Sequence, residues 1–447
     1  MSEPAIREQK LSPLILTAFL AGALVGGSLA FAARTNAVER DVTAVKASFR
    51  RPAAIPFPAD NLFSEDKRAL GERLFYDKKL SVDGSLACAS CHDRTKGFAD
   101  GRAHGSGVPG RPLARHTPTL WNLAWASPVF WDGRARTIEQ QVLGPIESPD
   151  EMAQPVEPLI KRLAGDPDYV QAFAKAFPKS AKISAGSLAK AIATYERTLV
   201  SPETRFDRWV EGNESALTAQ EIEGFRLFTG KAGCIQCHKG FAFTDYNFYD
   251  IGLAGDDRGR GAVLRLQAAE HAFKTPGLRE LTRSAPYMHD GSLATLADVI
   301  HHYESGIVER ETLAPELPRK LALSDAERAA LVAFLQSLTS EATPFPPAMI
   351  VAEKARQSAP PVRVSTVTQD DKHFSPTSIA LRRGEHLWIL NNDTRTHNVR
   401  VFDPKLDFDS GAQEPGETVE IAFPRAGSYL VYCGIHPTME LHVVVAR

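Results

Sequence analysis

Two short segments of this chain, Cys88-Ala89-Ser90-Cys91-His92 and Cys234-Ile235-Gln236-Cys237-His238, read C-x-x-C-H. That is the sequence to which a c-type haem is attached covalently. Nothing else constrains the fold as strongly, because the chain must close around a porphyrin at each place. The fifth and last cysteine lies in Cys433-Gly434-Ile435-His436-Pro437-Thr438-Met439. A Cys/His/Met cluster of this kind holds blue copper. Two haem irons and one copper make this a redox protein. With four cysteines committed to thioethers and one to a metal, no disulfide is expected.

Haem c is attached outside the bacterial cytoplasm, and the N-terminus agrees. Arg7 and Lys10 precede an apolar run from Leu14 to Ala33, with Ala30-Phe31-Ala32 as a cleavage site. The run reads as a secretory signal or, at about 20 residues, as an anchor in the inner membrane. Both readings put the rest of the chain in the periplasm. A length of 447 residues implies several domains. The net charge of −2 lacks the basic excess of a nucleic-acid binder, so no nucleic-acid partner is expected.

The region after the leader contains a duplication. Ser64 caps a helix through Gly71-Glu72-Arg73-Leu74-Phe75, and Cys88 follows. Thr218 and Glu221 form a capping box for a helix through Gly224-Phe225-Arg226-Leu227-Phe228, and Cys234 follows. Two G-x-R-L-F helices, each running into C-x-x-C-H, look like two copies of one cytochrome c unit. Leu188, Ile192, Tyr195 and Leu199 share a helical face. Ser324-Asp325-Ala326-Glu327 caps a last helix whose stripe is Leu331, Phe334, Leu335 and Leu338. Beyond Pro344-Phe345-Pro346-Pro347 the signal becomes β, with runs such as 387–390, 399–402 and 429–432 between turn clusters.

The expected fold is multidomain: an all-α pair of cytochrome c-like haem domains followed by an all-β sandwich. The expected boundaries are a signal or anchor over 1–33, a linker over 34–60 and an N-terminal haem domain over 61–210. A C-terminal haem domain follows over 211–343, then a linker over 344–361 and a copper domain over 362–447. A blue-copper site needs two imidazoles, a thiolate and a weak axial thioether. Cys433, His436 and Met439 supply three from one loop, and His397 is placed to be the fourth. The segment from Val362 onward resembles the plastocyanin, amicyanin and pseudoazurin group of cupredoxins. His373, His386 and His442 have no such company and read as ordinary sandwich histidines.

The stretch from Gly71 to Leu338 resembles the bacterial di-haem cytochrome c peroxidase and MauG family. The motifs are Phe130-Trp131-Asp132-Gly133-Arg134, Pro149-Asp150-Glu151-Met152, Lys274-Thr275-Pro276-Gly277-Leu278-Arg279 and Pro286-Tyr287-Met288-His289-Asp290-Gly291. The resemblance implies haem c on Cys88 and Cys91 with His92 as proximal ligand, and on Cys234 and Cys237 with His238. It implies that Trp131 lies between the haems and shares oxidising equivalents. It also implies that Gln141, Pro145 and Glu151 line the distal side of the N-terminal haem. There Glu151 would move a proton as the peroxide O–O bond breaks. Ordinary peroxidases of the family have a methionine fourteen residues after the histidine of the His-Asp-Gly motif, ligating the C-terminal iron. Here that residue is Tyr303, as in MauG, and no methionine stands between Met288 and Met349. A phenolate ligand stabilises higher oxidation states of iron, whereas methionine favours the ferrous state. Met288, His301 and His302 are alternative ligands, and a packed aromatic is the alternative for Tyr303.

Some positions depart from the family. His116 stands where an asparagine helps to hold calcium between the haems, together with backbone oxygens of Ser284 and Pro286. Calcium prefers oxygen, so the imidazole argues against that ion. Tyr249 replaces a common histidine, and His104 reads as a surface residue rather than a resting ligand. The leading expectation is a periplasmic enzyme that reduces hydrogen peroxide at the His92 haem. Its electrons would pass through the His238 haem and the fused copper domain, whose tethering raises the donor's effective concentration. The alternative is MauG-like oxidation of side chains on a partner protein. In either case a small periplasmic donor or a substrate protein is the expected macromolecular partner. A non-enzymatic electron relay would need both haems six-coordinate, against which Gln141 and Glu151 argue.

Overall fold

The computed structural model describes residues 42–108, 111–180, 182–318, 320–341 and 361–446. The leader expected over 1–33 and residues 344–360 of the expected linker lie outside the described residues. The leading compact unit is Met1–Phe49, in which residues 42–47 are helical. The second is Arg50–Arg447. Among the described residues no helix is long and apolar enough to cross a membrane.

The second unit is helical first and β afterwards. Its helices are α1 (Glu65–Phe75), α2 (Cys88–Cys91), α3 (Ile138–Glu147), α4 (Val156–Ala164), α5 (Pro167–Ala176) and α6 (Ala185–Arg197). They continue as α7 (Arg205–Val210), α8 (Ala219–Thr229), α9 (Arg260–Leu264), α10 (Leu296–His301) and α11 (Asp325–Ser337). The expected caps form. The Ser64 hydroxyl accepts from the Lys67 N–H, and both Thr218/Glu221 and Ser324/Glu327 close capping boxes. Leu199, expected on the α6 face, is buried just beyond that helix, whose C-cap is Thr198. A two-stranded pair, β1 (Phe248–Tyr249) with β2 (Phe273–Lys274), interrupts the otherwise helical part.

The duplication is visible in packing. In the first copy Gly71 of α1 lies against the backbone of Ala191 in α6, where an added Cβ would collide with the Ala191 carbonyl and sit 2.9 Å from the Tyr195 Cβ. In the second, Gly224 of α8 lies against Ala330 in α11, where an added Cβ would strike that carbonyl and sit 2.6 Å from the Phe334 Cβ. The glycine of each G-x-R-L-F helix is therefore a crossing point of two helices. Around the second crossing Phe206, Phe225, Phe228, Phe243 and Phe334 pack edge to face or tilted, at centroid distances of 5.2–6.1 Å.

The β part is a sandwich. One sheet has the order β5 (Ser378–Arg382), β11 (Glu440–Ala446), β10 (Gly427–Tyr432), β7 (Arg400–Asp403), β8 (Leu406–Asp409). The other has β4 (His373–Ser375), β3 (Thr366–Asp370), β6 (His386–Asn391), β9 (Thr418–Ala422). Pairings β5–β11 and β3–β6 are parallel and the rest antiparallel. Alternation sets the core: Leu387 and Ile389 of β6 face Leu441, Val443 and Val445 of β11 across a buried cluster that includes Cys433 and Met439. Leu264 and Ala269 of the helical part join that same cluster, so the sandwich is packed onto it.

Gly224→Ala should destabilise the protein by about 1–3 kcal/mol, the cost of forcing atoms into a filled contact. Gly186→Ala in α6, where the new Cβ meets only the Ser184 hydroxyl at 3.9 Å, should be neutral or stabilising. Urea unfolding of the two variants makes the comparison, and equal stability would refute the crossing argument.

Candidate active site and metal centre

A cavity of about 1250 Å³ runs through the helical part, and both C-x-x-C-H segments open onto it. Each proximal histidine is aimed by the same device. The His92 Nδ1–H donates to the Phe98 carbonyl at 2.8 Å, and the His238 Nδ1–H donates to the Phe243 carbonyl at 2.9 Å. Both phenylalanines take the left-handed backbone conformation, with φ of 58° and 55°, which turns their carbonyls inward. The bond fixes the tautomer and leaves each Nε2 as the metal-binding atom. Burial holds both imidazoles below their ordinary pKa, in the neutral form a metal requires. Cys88, Cys91, Cys234 and Cys237 line the same cavity, so the donor set fits two covalently attached haems.

On the N-terminal side, Gln141, Pro145 and Glu151 all line the cavity. Glu151 is fixed through its backbone: its carbonyl accepts from the Val108 N–H at 2.8 Å and its N–H donates to the Ser148 carbonyl at 3.1 Å. Gly107 makes this possible, since a Cβ there would collide with the Asp150 carbonyl. Burial raises the Glu151 carboxyl above the ordinary value. Glu196 of α6, which the sequence reading missed, lines the cavity at 5% exposure, and burial pushes its carboxyl up to about 8. His104 is exposed, as expected.

Trp131 is held from both ends. Its indole N–H donates to the His116 carbonyl at 2.8 Å, and its own carbonyl accepts from the Lys274 N–H at 2.8 Å. The following Asp132 carboxylate is gripped by Arg115 at 2.6 Å and Arg134 at 2.9 Å. The His116 imidazole donates to the Arg102 carbonyl at 2.7 Å, so at this position a ring nitrogen replaces the oxygen that calcium would need. This donor set does not fit calcium.

On the C-terminal side, Tyr303 lines the cavity and packs in a cluster with Cys237, Tyr249 and Leu317. Leu296, Val299, Ile300 and Tyr303 all face the cavity, at the spacing of one helical face. The single helix expected to carry 301–303 instead becomes a π-turn over His302–Gly306. Such turns recur at functional sites. The turn directs the His302 imidazole to the Ile251 carbonyl at 2.9 Å, and neither His301 nor His302 lines the cavity. Met288 does line it, but its turn is tied to the N-terminal side: the His289 carbonyl accepts from the His116 N–H, and Gly291 abuts Ala103. Burial raises the Tyr303 phenol, so a phenolate there needs a cationic partner such as iron.

The sandwich gathers the other cluster. The ligand atoms of His397, Cys433 and His436 lie within 4.8 Å of one another, all buried. The Cys433 Sγ is 3.5 Å from the His397 Nδ1 and 3.9 Å from the His436 Nδ1. The His397 Nε2–H donates to Asp393 at 3.1 Å, leaving Nδ1 toward the thiol. Burial would raise the Asp393 carboxyl, but hydrogen bonds from the Lys372 backbone and His397 hold it down to about 2. Met439 is 1% exposed in the same loop, and its N–H donates to the His436 carbonyl at 2.9 Å. Two nitrogens and a sulfur in a dry pocket fit copper. His373, His386 and His442 are exposed and apart from it.

This loop faces the helical part. Arg260, 4% exposed and absent from the sequence reading, donates to the Gly434 carbonyl from Nε at 3.0 Å and Nη2 at 2.7 Å. Its Nη1 donates to the carbonyls of Asp132 at 2.9 Å and Gly133 at 2.7 Å. Burial pulls Arg260 down to about 10, which still leaves it charged at neutral pH. Nearby, Lys372 binds the Tyr249 hydroxyl at 3.0 Å and pairs with Glu316, which also meets Arg395 at 3.2 Å.

The family model described as di-haem cytochrome c peroxidase matches residues 65–215. The chain is 46% identical over 312 residues to the methylamine utilization protein MauG of Methylorubrum extorquens, covering 69% of this chain and 88% of that one. It is 35% identical over 288 residues to cytochrome c551 peroxidase of Pseudomonas aeruginosa, covering 62% and 80%. Among solved structures, a MauG-like protein associated with microbial copper homeostasis superposes with a TM-score of 0.61 at 32% identity, covering 66% of this chain and 97% of that one.

Proposed function

Because the chain belongs to the di-haem cytochrome c peroxidase and MauG family, and is therefore a peroxidase-like haem oxidoreductase with two haems c, we propose that it reduces hydrogen peroxide in the periplasm with electrons from a fused type 1 copper centre. The observation that carries this reading is the shared cavity, onto which both C-x-x-C-H segments, Glu151, Gln141 and Trp131 all open. When bound, haem supplies one-electron chemistry that cleaves the peroxide bond, and copper supplies electrons singly. The residues do the rest. As the carboxylate, Glu151 takes a proton from one peroxide oxygen and returns it to the departing one, and burial, by raising its proton affinity, favours the first transfer. The Gln141 amide orients the peroxide beside it. Trp131, fixed at its indole N–H by His116 and at its carbonyl by Lys274, would share oxidising equivalents between the haems. His397, Cys433, His436 and Met439 are the proposed copper ligands.

A second reading is MauG-like oxidation of side chains on a partner protein. Tyr303 favours it, because it lines the cavity and joins the same cluster as Cys237, where its phenolate would be available to hold the second haem iron.

Glu151→Gln should slow the reaction with peroxide by about 10²–10⁴-fold, the usual contribution of a general acid-base group. Stopped-flow mixing measures it, and an unchanged rate removes Glu151 from the chemistry. Tyr303→Met should raise the potential of the His238 haem and make reaction with peroxide depend on prior reduction, as followed by redox titration and peroxide kinetics. A wild-type protein inert to peroxide until pre-reduced would sink the MauG-like reading. Cys433→Ser should remove an intense thiolate-to-copper absorption and the type 1 EPR signal while leaving both haem spectra intact. Copper-loaded wild type without that signal would refute the copper assignment.

A further inference from the structure

Arg260 is an anomaly in energetic terms. It is a cation buried to 4% exposure, yet among the described residues it forms no ion pair, and its four hydrogen bonds go to neutral backbone carbonyls. The adjacent carboxylate of Asp132 is already taken by Arg115 and Arg134. Burying a charge with only neutral partners is costly, so stability alone gives no reason to keep it.

Both ends of the contact carry a glycine with no room for a side chain. Gly133 has φ +67°, and a Cβ there would lie 2.3 Å from the Phe248 ring and 2.7 Å from the Arg260 Nη1, the guanidinium itself sitting 4.6 Å from that ring's centroid. Gly434 has no room either: its Cβ would lie 2.8 Å from the Asn398 Oδ1 and 3.1 Å from Leu264. Gly133 thus lets its backbone close on Phe248 and the guanidinium, while Gly434 lets the Cys433 loop close on Asn398, Arg400 and Leu264. What they join is specific. Gly434 follows Cys433 directly, and Asp132 follows Trp131 directly.

We propose that Arg260 is the positioning residue for electron entry from the copper centre, joining the carbonyl next to Cys433 to the carbonyl next to Trp131 by hydrogen bonds. The inference rests on the copper and haem assignments made above. The step moves one electron. The cuprous ion bound by the Cys433 thiolate is oxidised by one unit and an oxidised haem iron is reduced by one. No proton crosses, since the guanidinium only donates hydrogen bonds. A continuous path of covalent and hydrogen bonds couples donor and acceptor better than a van der Waals gap. The buried position also excludes water that would otherwise reorganise around the copper loop.

The test uses the full-length protein with both haems and copper. Laser-flash photoreduction of the copper, followed by its reoxidation against haem reduction, gives the internal transfer rate. Arg260→Met should slow that rate several-fold, because it removes every hydrogen bond that Arg260 makes to the Gly434, Asp132 and Gly133 carbonyls. Its type 1 EPR signal and haem spectra should be unchanged. Arg260→Lys should recover part of the rate. Lys372→Met, which loosens the other part of the contact at Tyr249 and Glu316, should change it less than about twofold, because distant sites act independently. Should Arg260→Met fail to load copper, the Arg260→Lys and Lys372→Met rates decide. Wild-type transfer in copper-loaded Arg260 variants overturns the proposal, and so does equal slowing in Lys372→Met. A wild type lacking the type 1 signal would instead overturn the copper assignment beneath it.

Discussion

Each haem-binding half hangs on a helix crossing too close for any side chain. Gly71 meets the backbone of α6, and Gly224 meets that of α11. The crossing sets where the first helix ends, and from that end the chain turns into the C-x-x-C-H loop. The turn after the loop then places a left-handed phenylalanine whose carbonyl orients the histidine. Close packing of two backbones therefore propagates, residue by residue, to the direction of an imidazole nitrogen. A methyl group at the crossing would displace more than the crossing.

Features encoded locally were legible in the sequence. The caps at Ser64, Thr218 and Ser324 are side-chain to backbone bonds within one turn. The alternation of β6 and β11 declares its own buried face. The duplicated motif and the Cys433 loop are contiguous, and Tyr303 is reached by counting fourteen residues from His289, the spacing that the family resemblance implies. Gly133 stands in its motif without showing its reason, because the Phe248 ring and the Arg260 guanidinium that crowd it come from far along the chain. Arg260 itself lies in a run of arginines and glycines that reads as an exposed loop. Only tertiary contact with three carbonyls distinguishes it from Arg258, which pairs on the surface with Glu270. Glu196 was hidden for a related reason. Its neighbour Arg197 pairs with Glu139 at 2.6 Å, whereas Glu196 turns into the cavity. The π-turn at His302–Gly306 has no signature in composition, since it reflects where the Ile251 carbonyl sits relative to His302.

The contact between sandwich and helices bears on how the copper domain works. In a freely diffusing donor the copper loop must be reachable by partners. Here His436 is 6% exposed, the Gly434 carbonyl is capped by Arg260, and the Thr438 hydroxyl donates to Asn247 at 2.9 Å. Arg136 reinforces the seam, with its guanidinium 3.7 Å from the Tyr432 ring centroid and 3.6 Å from Glu440. Such packing is a fixed dock rather than an encounter surface, and it removes the orientational search that slows association between separate proteins. It also carries a constraint. With the copper loop turned inward, any outside protein that supplies or withdraws electrons must approach another face, either of the sandwich or of the haem region. On the proposed role of the sandwich as electron donor, tethering and occlusion act together: they hold one donor in place and deny its metal loop to others.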